Sequence, residues 1–450
     1  MLDLIVKNCV AVTMDDDCPV IRDAYLAVRG GKLDYVGTQE PEEGAWRTID
    51  ARGQLCMPGL INTHSHAAMA LMRGYADDHA LQEWLFRYVF PVEAKLDGEA
   101  VALGTQLAMA EMLASGTVSF SDMYMFIPAM ARVIEECGMY ANISNGITAF
   151  EPDKYDYDKS PVTAENREVL ARWHGADGGR IRLDASIHAE YTSFPPAWRD
   201  FAAFARENGL NLQLHLSETK KEQEECIARW GKTPARVMAD NGVFDVRTTA
   251  AHGVWLTDED LDLLAEKGVT VAHNPVSNLK LASGVARVTR MLEKGVRVSL
   301  GTDGVCSNNN YDLFEEIKLA AILQKGVTGD ARVIPAGQAL RMATRAGAYA
   351  QGRENELGCL KAGFDASFIL VDTSRPGLMP LHDPQSALAY AARGGDVSMT
   401  VVRGRVLYEK GEYTTLDMER IRAGLGPVMK RLFGASARAT SFFRRKAVPF

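Results

Sequence analysis

Between about residues 56 and 355, short apolar runs alternate with longer segments of helical periodicity. Residues 117–120, 212–216, 269–272 and 296–300 are runs of the first kind. Residues 100–115, 196–208 and 258–267 are of the second. Two strands joined through a helix run parallel, because a parallel pair needs a long crossover. Repeated units of this kind build an α/β fold around a parallel sheet. About 300 residues of alternation suits a (β/α)8, TIM-type barrel. A doubly wound open sheet is the alternative. No Gly-rich dinucleotide fingerprint or P-loop is present.

Both ends of the chain read differently. Residues 4–12, 23–28 and 32–36 are strand-like, the last two flanking Gly30-Gly31, a hairpin turn. Residues 366–371, 399–402 and 405–408 are strand-like near the other end. Two strand-rich ends around an alternating middle predict a small β-sandwich built from both termini. The expected division is residues 1–55 and 356–415 for the sandwich, 56–355 for the barrel, and 416–450 for a C-terminal helix and a basic tail, Arg444-Arg445-Lys446.

Hydrophobic residues make up 47% of the chain, enough for a large core, and the net charge of -8 argues against a nucleic-acid or anionic-membrane partner. Seven cysteines without a CxxC pair read as reduced thiols in a cytoplasmic protein. The N-terminus lacks a basic n-region and a long apolar run, so no signal peptide is expected. No run reaches the roughly 18 apolar residues of a membrane span.

The chemistry-bearing residues cluster at the ends of the apolar runs. The run from Met57 ends in His64-Ser65-His66. Residues two apart in a strand face the same way, so both imidazoles aim at one point. His188 follows Ala185-Ser186-Ile187, His215 follows Leu212-Gln213-Leu214, His252 follows Thr248-Thr249-Ala250-Ala251, and Asp303 follows Ser299-Leu300-Gly301-Thr302. In a barrel the C-terminal strand ends form the active-site face, so these groups converge there. His64, His66, His215 and Asp303 are the expected ligands of a divalent metal, zinc foremost, with iron or manganese also compatible. Such a metal lowers the pKa of a bound water towards about 7. Glu218, three residues after His215, can curl back over the mouth as general acid and base. His252 can hold or deprotonate the water or stabilise a developing oxyanion. The segment from Arg182 to His188 contains no lysine to bridge two metals, which favours a single ion.

Taken together, these motifs resemble the amidohydrolase superfamily, and more closely its 5'-methylthioadenosine/S-adenosylhomocysteine deaminases. The resemblance runs from PGLINTHSHAAMALMRGYADD through LHLSET, AAHGV and AHNPVSNLKLASG to GTDGVCSNNNYDLFEEIKLAAILQKG. It implies a barrel with a sandwich from both termini, one metal ion, hydrolytic deamination of an adenine nucleoside, and a homodimer or tetramer. It also implies ligand roles for His64, His66, His215 and Asp303. Glu218 matches the proton shuttle, and His252 the catalytic histidine. Asp303 shares with His252 the handling of the attacking water. Trp84 in LQEWLF, Glu93 in FPVEAK and His188 in SIHAEYTS match substrate-binding positions, Glu93 towards the ribose hydroxyls.

One departure from the pattern matters. Users of S-adenosylhomocysteine carry an arginine after the third strand for the amino-acid carboxylate. Asn145 stands there, and the next arginine, Arg167, is displaced. The loop from Ala149 to Pro161 carries Asp153, Asp156 and Asp158, which suits an anionic tail poorly. Methylthioadenosine, adenosine or 5'-deoxyadenosine therefore fits better than S-adenosylhomocysteine. A triazine, pterin or guanine hydrolase and a non-catalytic scaffold on the same fold are the alternatives. Retention of the full ligand set argues against the scaffold.

Overall fold

In the computed structural model, residues 1–434 are described; the basic stretch at 444–446 lies outside them. Eight parallel strand positions follow one another through the middle of the chain. They are Leu60–Ser65, Thr117–Met123, Tyr140–Ser144, Ile181–Leu183 continued by Ala185–Ile187, Leu212–Leu216, Thr248–His252, Thr270–His273 and Arg297–Leu300. Their residues are buried almost without interruption. Parallel strands covered on both faces require this, and it explains why the sequence shows continuous apolar runs rather than alternation.

These strands form a four-stranded and a five-stranded sheet, joined at two seams. The fourth strand position makes one seam. Asp184 N–H donates to the Ile143 carbonyl (3.0 Å) and Ala185 N–H to that of Asn211 (2.9 Å), so the chain changes neighbours at Asp184. At the other seam, Asp303 N–H donates to the His64 carbonyl (3.0 Å) and Thr63 Oγ1 to that of Leu300 (2.8 Å). Helices including Gly98–Ala114, Ile127–Cys137, Pro195–Asn208 and Leu313–Thr328 follow the strands. The α/β barrel expected from the alternation is thus present, with its first and eighth strands held side by side.

A buried, hydrogen-bonded polar plug closes the end of the barrel away from the histidines. Asn142 Nδ2 and Gln213 Nε2 each donate to Asp184 at 2.9 Å. The fully buried Arg353 guanidinium donates to Asn142 Oδ1 (3.1 Å) and to the carbonyls of Gly179 (2.6 Å) and Arg180 (2.9 Å). The partners lie on or beside the third, fourth and fifth strands, so the plug ties these together.

The strands of the two termini form one nine-stranded, mostly antiparallel sheet. Leu55–Pro58 pairs with Phe368–Val371, the point where the two halves of the chain meet. Lys32 bridges Asp365, bringing distant parts of the sheet together. Leu4, Val6, Leu26, Leu33, Phe368, Leu370 and Val401 consequently share one core, as a sandwich demands. Helix Met418–Phe433 packs on Gly98–Ala114.

Gly59 is all that separates sandwich strand Leu55–Pro58 from barrel strand Leu60–Ser65. A Cβ there would lie 2.2 Å from Val118 Cγ1, so the second barrel strand packs against bare backbone. Gly59→Ala is expected to cost about 1–3 kcal/mol by overpacking, read as a lower urea midpoint at unchanged slope. An unchanged midpoint would show that the junction has slack.

Candidate active site

All the sequence-selected polar residues of the barrel come to one mouth. His64 and His66 lie at the end of the first strand, His215 in the fifth, and His252 ends the sixth. His188 directly follows the fourth strand, Glu218 lies two residues past the fifth, and Asp303 three past the eighth. His64, His66, His215, His252, Glu218 and Asp303 are all buried. Asp303 Oδ1 is 3.2 Å from His66 Nε2 and 3.5 Å from His64 Nε2. His215 Nε2 is 3.3 Å from His66 Nε2. Ligand atoms of His64, His66 and His215 lie within 4.8 Å of one another, as do those of His64, His252 and Asp303.

The hydrogen bonds behind these rings show what they are built to hold. His66 Nδ1 donates to the Met123 carbonyl (2.6 Å) and His215 Nδ1 to the His188 carbonyl (2.7 Å). A neutral imidazole with its proton on Nδ1 presents a lone pair at Nε2. The His66 lone pair would face that of His215 at 3.3 Å and the Asp303 carboxylate at 3.2 Å, and buried His64 Nε2 has no hydrogen-bond partner. Although burial acts to lower its pKa, the Asp303 carboxylate raises His66 to about 9 when no ion is present. Without either a proton or a cation this arrangement is repulsive. A divalent cation among the Nε2 atoms and Asp303 relieves it, and three imidazoles with one carboxylate are a donor set zinc accepts. Although burial acts to raise its pKa, the neighbouring His64 and His66 hold the Asp303 carboxyl well below the usual carboxylate range. Burial pushes His64 down to about 4, which keeps its imidazole neutral and ready to coordinate.

A second ring of residues, not singled out in the sequence, fixes this geometry. Ser277 Oγ (2.6 Å) and Ser307 Oγ (2.9 Å) both donate to Asp303 Oδ2, while Gly304 N–H donates to Oδ1 (2.7 Å). His252 Nδ1 pairs with Asn278 Oδ1 (2.9 Å), which leaves Nε2 for the mouth, 3.9 Å from Glu218 Oε2. His252 (φ 74°) and Asp303 (φ 61°) both adopt the left-handed backbone conformation that non-glycine residues rarely take. The buried Glu222 carboxylate accepts from the N–H groups of Ser217 (2.8 Å) and Glu218 (2.7 Å), pinning the turn that carries Glu218. The signal for Glu222 was legible as Thr219-x-x-Glu222, a capping-box spacing. Burial raises the pKa of Glu218, as a proton donor near neutrality requires. Burial pushes the Cys306 thiol up to about 12, which keeps it protonated and apart from the convergent groups.

The mouth opens into a cavity of about 500 Å³. His66, His215, His252, Glu218 and Asp303 line its floor, and Trp84, Glu93 and His188 line its walls. Phe90, Tyr124 and Tyr191, which the sequence reading passed over, also contribute to the wall. Asn145 lines it too and donates to Glu165 Oε2 at 2.9 Å. Arg167 stays outside, paired with Asp158 at 2.6 Å.

One expectation needs correction. The aspartates of the 149–161 loop do not confront the substrate space. Asp153, Asp156 and Asp158 are exposed, and Asp156 pairs with Lys159 at 2.7 Å. The carboxylate that does reach the cavity near Asn145 is Glu165. The loop is anchored by Tyr155 and Tyr157, which pack edge-on against Phe194 and Phe201, while the aspartates between and beside them keep their charges in water.

Residues 55–407 match the amidohydrolase family. The chain belongs to that family. It is 42% identical over 420 residues to the 5-methylthioadenosine/S-adenosylhomocysteine deaminase of Caldanaerobacter subterraneus subsp. tengcongensis, covering 93% of this chain and 96% of that one. It is 44% identical over 422 residues to the 5'-deoxyadenosine deaminase of Methanosarcina mazei, covering 94% and 96%. The crystal structure of an adenosine deaminase from Xanthomonas campestris with bound zinc superimposes with a TM-score of 0.89 at 32% identity, covering 96% of this chain and 98% of that one. This amidohydrolase is accordingly an aminohydrolase with a site for a divalent metal. Among the described residues no helix is long and apolar enough to cross a membrane.

Zinc at one hundred times its dissociation constant is expected to stabilise the chelator-stripped protein by about 2.7 kcal/mol, read by thermal denaturation. Asp303→Ala should abolish most of that gain. Equal stabilisation of the variant would place the ion elsewhere.

Proposed function

We propose that this amidohydrolase hydrolytically deaminates an adenine nucleoside to the inosine analogue and ammonia, using one divalent ion, zinc. Methylthioadenosine, adenosine and 5'-deoxyadenosine are the proposed substrates, with S-adenosylhomocysteine a poorer one. The observation that carries the reading is the set of imidazoles and carboxylates converging beneath an apolar cavity of nucleoside size. The names borne by relatives 42–44% identical over nearly the whole chain support it.

His64, His66, His215 and Asp303 would hold the ion, which supplies Lewis-acid activation of a water at neutral pH. Asp303 and His252 orient the attacking water and accept its proton as its oxygen bonds to C6 of the adenine ring. Glu218 protonates N1 as negative charge builds there, and its raised pKa makes that transfer easier. The C6–N bond then breaks, and Glu218 relays a proton so that the amine leaves as ammonia. Glu222 keeps Glu218 over the ring by holding its backbone N–H. Trp84 and His188 enclose the nucleoside, and Glu93 accepts hydrogen bonds from the ribose hydroxyls.

Ammonia release against adenosines, guanine, a pterin and a triazine tests the reading. Turnover confined to the adenosines is expected, and turnover of an outsider alone would overturn it. Glu218→Gln should retain the metal and lose about 100- to 10,000-fold in kcat. A variant within tenfold of the parent would remove Glu218 from the proton-transfer role.

A further inference from the structure

The outer end of the cavity carries an unbalanced charge. The acidic groups lining the cavity are Glu93, Glu165, Glu218 and Asp303, and among the described residues no lysine or arginine lines it. Glu218 and Asp303 belong to the floor, and Glu93 lies beside Tyr124 on the wall. Glu165 stands apart, on helix Pro161–Arg172 after the third strand, one turn from Val162 and in contact with Asn145 and Phe126; Phe150 lines the same cavity. Its carboxylate is half-buried. Ile127 N–H (3.1 Å) and Asn145 Nδ2 (2.9 Å) donate to Oε2, and the Phe126 backbone faces the same group. A carboxylate offers about four acceptor positions, so Glu165 keeps capacity for a ligand donor. Its own tethers are neutral. The nearest chain guanidinium in sequence, Arg167, is committed to Asp158 outside the cavity.

We propose that Glu165 is a specificity-determining residue that recognises a positively charged group on the 5' arm of an adenosine. The substrate class then extends to adenosines whose 5' substituent ends in a primary ammonium group, such as aminoalkyl thioethers. This inference rests on the nucleoside reading, with adenine on the floor and the 5' arm directed outward. The apolar side chains of Phe126, Phe150 and Val162 pack the methylene or thioether stem. The ammonium at its end meets Glu165 in a setting of reduced solvation, where a charge-assisted hydrogen bond is stronger than in water. A carboxylate-terminated arm meets like charge there, with no lysine or arginine among the described lining residues to offset it. Asn145 holds Glu165 in place by its amide without neutralising it.

The test compares kcat/KM for methylthioadenosine, the 5'-(3-aminopropyl)thio analogue, the 5'-(3-carboxypropyl)thio analogue and S-adenosylhomocysteine with the zinc-loaded wild-type enzyme. The aminopropyl compound should exceed the carboxypropyl compound by about 100-fold, roughly two charge-assisted interactions gained or lost. In Glu165→Gln, which preserves an acceptor for the Ile127 N–H, that ratio should fall at least tenfold. In Asn145→Arg the order of the aminopropyl and carboxypropyl compounds should reverse. A wild-type ratio near one, or an unchanged ratio in Glu165→Gln, overturns the role of Glu165. The wild-type comparison needs no variant to fold. Methylthioadenosine turnover without discrimination between the charged arms would sink this inference alone. Silence on every adenosine would sink the nucleoside reading beneath it.

Discussion

The structure turns on a carboxylate and three imidazoles, all buried, each within 3.5 Å of at least one other of the set and with their lone pairs converging. Burying such groups is costly unless a cation neutralises them. Nearly every irregular feature of the mouth serves this arrangement. Carbonyls at the end of the second strand and just after the fourth take the Nδ1 protons of His66 and His215. Two serines and a backbone N–H hold Asp303. The left-handed backbone at His252 and Asp303 aims both residues inward. The parallel strand ring, closed below by the Arg353–Asn142–Asp184 plug, is the rigid frame that makes this strain affordable.

Much of this was legible because barrel geometry converts sequence position into spatial position. A polar residue ending an apolar run lies at the C-terminal rim, so His64, His66, His215, His252 and Asp303 could be brought together before any coordinates. The sandwich was legible from strand-rich ends, but its seam was not. Nothing local in Leu55–Pro58 says that it pairs with Phe368–Val371, some 300 residues away. The break at Asp184 was equally hidden, since one continuous run serves two neighbours in turn. Ser277, Ser307 and Asn278 sat inside motifs already singled out, yet short polar side chains look alike in turns and in sites. Their role appears only when the seventh and eighth strands are adjacent.

Charge on a loop says little about charge in a cavity. Asp153, Asp156 and Asp158 are closer in sequence to the expected arginine position than Glu165 is, yet they remain in solvent. Glu165 lies on helix Pro161–Arg172 and is brought inward because its carboxylate accepts from the first N–H of helix Ile127–Cys137 and from Asn145. A capping interaction thereby delivers a negative charge to the substrate space, and the same Asn145 that replaces an arginine steadies it. In the proposed reading, substrate preference depends on how the segments after the second and third strands share hydrogen bonds, while the metal and proton-transfer groups come from strands one, five, six and eight.

The most direct test of the central claim is anomalous diffraction from crystals of the zinc-loaded protein. The account predicts one peak per chain, about 2.0–2.2 Å from the Nε2 atoms of His64, His66 and His215 and from an Asp303 oxygen. No peak among these groups, or two ions sharing them, would contradict it.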